Sequence, residues 1–290
     1  MENIRGAILM MLAMLGFAIE DVFIKILANS ISVAQILLTL GAGGCLFFWM
    51  MAKRQGATII SRDLLHPAII MRNLGELIGT IGFVTALALT PLSSASAILQ
   101  AAPLIVTMGA ALFLGEAVGW RRWTAILVGF GGVLMILRPG TENFEAASFF
   151  AVQGTIGLAV RDVAIRRVPK HISSMQLSTY GFLMLIPASG ILFVLGQPMV
   201  VPTSTEWGLL ALSLGIGVVA YYLLVGATRR GDVSFVTPFR YSRLLFAIGF
   251  AYAIFGEIPD VWMIMGSLLV VGSGLFMFAR EAKLRTTSNA

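Results

Sequence analysis

What most restricts this chain is a succession of long apolar runs, parted by short polar or Gly/Pro breaks. They fall near residues 4–28, 33–52, 67–90, 93–114, 120–138, 147–165, 175–196, 206–228, 233–254 and 260–279. Each approaches the roughly 20 residues that a helix needs to cross the hydrocarbon core of a bilayer. No water reaches the backbone there, so each run must close its own hydrogen bonds as a helix. Ten such spans consume most of the 290 residues and leave only short connections, with no room for a sizeable soluble domain. Composition agrees, since 58% of the residues are hydrophobic and 12% charged, against about 25% charged in soluble domains. The first run follows Arg5 and carries Glu20 and Asp21. It is too long for a secretory signal and lacks a clear small-residue cleavage site, so it reads as a retained helix.

The connections alternate in charge. One set holds Arg5, then Lys53, Arg54 and Arg62, then Arg121 and Arg122, then Arg166, Arg167 and Lys170, then Arg229 and Arg230, then Arg280, Lys283 and Arg285, fourteen basic residues in all. The alternate set, at 29–32, 91–92, 139–146, 197–205 and 255–259, lies next to Arg138 alone. Cytoplasmic connections collect Lys and Arg, which places both termini in the cytoplasm and requires an even number of spans. The net charge of +6 therefore reports orientation, and no nucleic-acid partner is expected.

Self-comparison adds an internal repeat. Ala18-Ile-Glu-Asp-Val-Phe-Ile-Lys25 resembles Ala159-Val-Arg-Asp-Val-Ala-Ile-Arg166 at an offset of 141, and the same offset aligns Leu114-Gly-Glu116 with Phe255-Gly-Glu257 and Ala86 with Ala227. Each half holds five runs, an odd number, so the second half crosses in the opposite sense to the first. Inverted repeats of this kind mark secondary transporters, whose sites lie near the midplane between the repeats. The expected fold is an all-α integral membrane protein of ten transmembrane helices in two inverted five-helix repeats. The halves are 1–140 and 147–280, with a cytoplasmic tail at 281–290.

Charged residues inside spans are the natural place to look for function, because each costs on the order of 2.5–3.5 kcal/mol even on insertion scales. The basic ones are Lys25, Arg72, Arg161, Arg240 and Arg243; the acidic ones are Glu20, Asp21, Glu76 and Asp162. Asp21 and Lys25 stand four apart, as do Asp162 and Arg166, so each pair shares a helix face and can neutralise itself locally. They are either structural ion pairs anchoring two symmetric helices or part of a gate. Glu20 corresponds to Arg161 in the repeat, so the symmetry offers a gating or coupling group of Glu20, Asp21, Lys25, Arg161 and Asp162.

Arg72 and Glu76 are also four apart. Arg72 either extends toward the interface along its aliphatic stem or faces a solute, while Glu76 lies deeper and suits a substrate amine or a coupling proton. Arg240 and Tyr241 follow Pro238, where a freed carbonyl is tolerated beside a water-filled cavity, and a guanidinium there fits a carboxylate or phosphate. The alternative is a closed network of Arg240 with Glu76 or Asp162, with Arg243 competing for the same partner. Gln100, three residues before Pro103, faces another helix or the cavity, and Tyr222 is placed to stack on a planar ligand or to pack the core. The substrate-binding candidates are thus Glu76, Gln100, Arg240, Tyr241, Arg72 and Tyr222. Trp49, Trp120, Trp123, Trp207 and Trp262 fall near helix ends, as interfacial anchors do, and runs such as Gly75-x-x-x-Gly79 permit close helix approach.

Catalysis finds no support. Cys45 is the only cysteine, and His66 and His171 sit in polar connections without metal-ligand spacing. No His-Glu-x-x-His, Gly-x-Ser-x-Gly or Asp-Asp-x-x-Asp segment occurs, nor a nucleotide-binding loop, so no catalytic residue, metal or cofactor is expected.

Three features occur together: the five-plus-five hydropathy, the segment Ala86-Leu-Ala-Leu-Thr-Pro-Leu-Ser-Ser-Ala-Ser-Ala97, and the Gly115-Glu116 and Gly256-Glu257 pairs. In these the chain resembles the drug/metabolite transporter superfamily, specifically the ten-helix EamA-type carriers of bacteria. Thr237-Pro-Phe-Arg-Tyr241 is also similar to a Pro-x-Arg-Tyr segment of a subset that includes S-adenosylmethionine carriers. The resemblance implies a multi-pass protein of the bacterial inner membrane that moves a small polar or zwitterionic metabolite by alternating access. Amino acids, S-adenosylmethionine and riboflavin-like vitamins are the implied solutes. A passive channel and a metabolite or drug exporter are the alternatives, with a membrane-embedded enzyme behind them. The expected partners are a small-molecule substrate and the lipid bilayer, with a homodimer left open.

Overall fold

Eight of the ten apolar runs form single continuous helices, and the fourth and ninth are broken. The molecule, known from a computed structural model, is described at residues 2–116, 118–142, 144–228 and 233–288, with the side chains of 233–234 and 281–288 outside that description. Of the charge alternation, Arg229 and Arg230 and the side chains of Lys283 and Arg285 lie outside the described residues.

In chain order the helices are α1 (Glu2–Leu27), α2 (Val33–Arg54), α3 (Pro67–Leu89), α4 (Leu92–Leu99), α5 (Ala102–Leu114), α6 (Trp120–Leu137), α7 (Ser148–Ile165), α8 (Ser174–Val194), α9 (Ser204–Thr228), α10 (Val233–Val236), α11 (Ser242–Phe255) and α12 (Val261–Ser288). A short 3-10 turn at Arg62–Leu65 precedes α3, and another at Thr237–Tyr241 joins α10 to α11. Among the described residues nine helices are long and apolar enough to cross a membrane, with Leu92–Leu114 counted as one. The ninth run falls short because it is divided into 4-, 5- and 14-residue pieces.

The expected single helices at 93–114 and 233–254 are therefore corrected, and proline explains both breaks. A proline lacks the N–H for the i−4 bond and crowds that carbonyl. Pro103 lies at the start of α5 and Pro238 at the start of the second 3-10 turn. Counted by the repeat offset, the two breaks fall at equivalent places in the two halves. The helix ends are equally local in origin. The Ser32 hydroxyl accepts from Gln35 N at the start of α2, and Ser173 forms a reciprocal capping box with Gln176 at the start of α8. Gly115 (φ 70°) and Gly256 (φ 66°) end α5 and α11 in the left-handed conformation that glycine adopts without penalty. That is the role of glycine in the two Gly-Glu pairs.

The chain divides into two compact units, and neither is one repeat. One comprises Met1–Val22, Thr90–Ser148 and Val219–Ala290; the other comprises Phe23–Leu89 and Phe149–Val218. Each draws on both halves. In the second unit α2 packs on its repeat counterpart α8. A Cβ at Gly41 would come within 2.7 Å of Leu185 Cβ, and Phe48 stacks on Phe182 with centroids 5.4 Å apart. In the first unit α6 packs on its counterpart α12, where a Cβ on Gly132 or on Gly266 would come within 2.6 Å of the other's carbonyl oxygen. Small residues thus replace the apolar interlocking of a water-soluble core, because lipid tails compete for large apolar side chains and reward close backbone approach instead.

Candidate functional site

Two buried polar groups stand out, one in each unit. In the unit containing α3, the group begins with a glycine seam between α3 and α7. A Cβ at Gly82 would lie 2.5 Å from Gly154 N, and one at Gly75 2.7 Å from Arg161 N; Gly157 abuts Gly79 directly. At such separation a side chain on one helix reaches the next without extending. Arg161 Nη1 donates to Glu76 Oε1 at 3.2 Å, and Arg161 Nε to Asp162 Oδ1 at 2.8 Å. Arg72 Nη2 reaches Glu76 Oε2 at 2.9 Å and Nη1 reaches Asn73 Oδ1 at 3.0 Å. Arg72 is fully buried, its guanidinium lying over Gly181 of α8, where a Cβ would come within 2.7 Å of Nη2. Arg72 Nε has no hydrogen-bond partner.

The local pairing of Arg72 with Glu76, four apart, is as the spacing predicts. Interfacial extension of Arg72 is not what the fold does, since the side chain points into protein. The shared carboxylate holds two guanidiniums, and Asp162 is a further partner of the second. Lys25, in the same unit, directs Nζ to the Leu87 carbonyl at 3.4 Å.

In the other unit Asp21 of α1 is 2% exposed and is bound in a fork by Arg243 of α11. Nη2 lies 2.8 and 2.7 Å from Oδ1 and Oδ2, and Nε 3.1 Å from Oδ2. The same guanidinium lies 5.3 Å from the Phe17 ring centroid, a cation–π arrangement. The carboxylate that spacing assigns to Lys25 is thus held by a partner 222 positions away, because a planar fork binds carboxylate bidentately and an ammonium does not. Asp162, which the i+4 spacing pairs with Arg166, also accepts from its neighbour Arg161. Glu20 belongs to this unit and Arg161 to the other.

The helix breaks of this unit meet. Gln100, between α4 and α5, donates Nε2 to the Arg240 carbonyl at 3.4 Å, a carbonyl in the turn opened by Pro238. Tyr241 is buried and its hydroxyl has no partner. Arg240 belongs to this unit, and Glu76 and Asp162, its expected alternative partners, to the other. Tyr222 is 49% exposed on α9 and joins neither group.

One functional feature was visible in the sequence only as a motif. Glu257 accepts from Leu92 N at 2.9 Å, Ser93 N at 3.1 Å and Ser93 Oγ at 2.9 Å. It therefore caps α4 from the opposite repeat, filling the role that an N-cap side chain usually fills from within the helix. Among the described residues no three His, Cys, Asp or Glu side chains gather as a metal site.

Comparison with known proteins fits this architecture. The model of the EamA-like transporter family matches twice, at residues 4–138 and 146–279. An S-adenosylmethionine uptake transporter of Rickettsia felis is 28% identical over 223 residues, covering 77% of this chain and 74% of that one. A riboflavin transporter of Vibrio cholerae is 31% identical over 196 residues, 67% of this chain and 64% of its own. A pseudopaline exporter of Pseudomonas aeruginosa is 28% identical over 272 residues, 92% and 93% of the two chains. A crystal structure aligns over 96% of this chain and 98% of its own at 18% identity and a TM-score of 0.63, a likeness of fold. Two family matches spanning both halves of an all-helical, multi-pass membrane chain establish that it belongs to the EamA-like transporter family.

Proposed function

We propose that the protein is a secondary carrier of the bacterial inner membrane, with both termini cytoplasmic, moving a small polar or zwitterionic metabolite by alternating access and carrying out no catalytic step. The observation that carries this reading is the meeting of the two helix breaks, which fall at equivalent places in the two repeats and are joined by the Gln100 bond to the Arg240 carbonyl. Discontinuous helices paired across inverted repeats are where transporters hold their solutes. Arg240 offers a guanidinium for a carboxylate, Gln100 and Tyr241 offer neutral polar groups, and Glu76 with Arg72 supplies a second charged station. Asp21, Arg161 and Asp162, with Glu20 and Lys25, serve gating or coupling. The two repeats, 1–140 and 147–280, act as the structural halves of the carrier, with 281–290 as a cytoplasmic tail.

Relatives named for S-adenosylmethionine and riboflavin support those two solute classes, and the charged residues of the spans add amino acids as a third. Export is the second reading, favoured by the pseudopaline exporter, whose alignment spans 92% of this chain. The test is counterflow in proteoliposomes with a panel of labelled amino acids, S-adenosylmethionine and riboflavin, with and without a proton gradient. Saturable counterflow of one class is the expected result. Flux that neither saturates nor shows counterflow would make the protein a channel, and no flux for any solute would overturn the carrier reading. Chemical crosslinking in the same liposomes reads whether the unit of transport is a monomer or a homodimer.

A further inference from the structure

Tyr241 lies with 6% of its surface exposed, and its hydroxyl has no hydrogen-bond partner. A buried O–H left unpaired forfeits the bond it made with water, and inside a membrane no solvent restores it. The phenol head is received by α12. A Cβ at Gly274 would overlap the hydroxyl and crowd the ring, and Phe278 flanks the ring edge-on at 6.3 Å between centroids. Gly274 thus leaves a slot that matches the phenol in shape and offers it nothing to bond.

The repeat supplies a second, independent observation. The 141-residue offset sets Tyr241 opposite Gln100. Both stand at the proline breaks of their halves, yet they behave differently. Gln100 donates across to the Arg240 carbonyl at 3.4 Å, while Tyr241 is turned away into the slot. One of two equivalent polar residues is engaged and the other is stowed.

We infer that Tyr241 is a solute-contacting residue with two positions: stowed against Gly274, as in this structure, and swung toward the break beside Gln100 when a carboxylate-bearing solute arrives, where its hydroxyl donates to that carboxylate. The inference rests on the carrier reading above. A phenol suits the task because it is a neutral donor, so stowing it costs far less than stowing a charge. Arg240, next in the chain, supplies the charged half of carboxylate recognition. The swing also exchanges an unpaired donor for a paired one. The swung position therefore interacts better with solute than the stowed one does, and that difference is what a solute needs to shift the population.

The experiment uses the purified full-length protein and the variant Tyr241→Phe, which keeps the ring and removes the unpaired donor. Without solute, the variant is expected to melt higher by about 2–4 °C; an unchanged or lower melting temperature would overturn the inference, since the hydroxyl would then already be satisfied. In proteoliposomes, counterflow of labelled S-adenosylmethionine or amino acids, which bear the carboxylate, is expected to fall about tenfold in kcat/KM for whichever is carried, the loss of one hydrogen bond to a charged group. A parent that carries only riboflavin, which bears no carboxylate, would overturn the inference. A more stable variant that transports as well as the parent also overturns it.

Should the parent carry none of these solutes, the carrier reading fails by itself. Tyr241 is then decided by nitration with tetranitromethane, followed site by site by mass spectrometry. The reference is Tyr180, fully buried with its hydroxyl fixed to the Ile59 carbonyl at 2.7 Å. A side chain that leaves its slot is nitrated faster than this reference by about tenfold, as even a minor second state suffices for reaction. Equal rates would show that Tyr241 has one position and overturn the inference.

Discussion

At the residue scale the unit containing α3 turns on Glu76. Its carboxylate receives Arg72 from its own helix and Arg161 from α7, while Arg161 has Asp162 as a second partner. Removing one member of a buried ion pair costs about 3–5 kcal/mol because the remaining charge is stranded. Glu76→Ala strands the fully buried Arg72 and takes one partner from Arg161, and is expected to destabilise by that amount, whereas Arg161→Ala leaves Glu76 with Arg72, releases only the part-exposed Asp162 and costs less. Thermal unfolding in detergent orders the two variants; equal losses would mean that Glu76 is not the centre of the network. Half of this was legible. The four-residue spacing of Arg72 and Glu76 announces their pairing, but nothing in the sequence joins Glu76 to Arg161, 85 positions on. That contact exists because Gly75, Gly79 and Gly157 let two backbones touch. Asp21 teaches the same lesson in reverse, for local spacing supplies an ammonium four residues away and the fold supplies a better-shaped guanidinium from α11.

At the scale of elements, the apolar period fixes that a run is helical and does not fix whether it is continuous. Pro103 and Pro238 mark the breaks, yet Pro187 lies inside α8 without ending it, so proline alone is an ambiguous sign. What makes a break tolerable is a partner for each freed backbone group, and such partners come from distant segments. Gln100 serves the Arg240 carbonyl, and Glu257 serves the first amides of α4. The Gly-Glu pair therefore has two jobs in adjacent residues: Gly256 ends α11 in the left-handed conformation, and Glu257 begins α4. Loss of an N-cap side chain costs about 0.5–2 kcal/mol, and a charged cap making three bonds belongs at the upper end. Glu257→Ala is accordingly expected to lower stability by about 2 kcal/mol, and Glu257→Gln, which retains one acceptor oxygen, by less. Ser93→Ala removes one of the three bonds and ranks below both. Denaturant or thermal unfolding of the three variants checks the order, and a neutral Glu257→Ala would show that α4 does not depend on the opposite repeat.

At the scale of the whole molecule, the repeat was legible from a shared offset, while the division into units was not, because each unit mixes helices from both halves. Packing of α2 on α8 and of α6 on α12 joins equivalents of the two repeats, an arrangement that self-comparison identifies only once the helices are placed. Orientation belongs at this scale too, and it follows from where Lys and Arg collect. The one basic residue on the sparse side is Arg138, and the structure shows that it forms an ion pair with Asp260 at the far end of the sequence. Its charge is thus matched by a carboxylate on the same side, while the fourteen basic residues of the other set make up the bias itself. Reporter fusions test the outcome: a fluorescent protein fused after residue 290 or within 55–60 is expected to fluoresce, and alkaline phosphatase inserted at 140–142 or 197–203 to be active. The reverse pattern would turn the protein over in the membrane and with it the assignment of every connection. A mixed pattern, with both ends on opposite sides, would break the even count and remove one of the two broken runs from the spans. The discontinuous ninth run is the one at risk, since its pieces are individually too short to cross. A phosphatase fusion at 258 that is active, beside a fluorescent one in the connection at 229–232, would show that the run crosses in spite of its break.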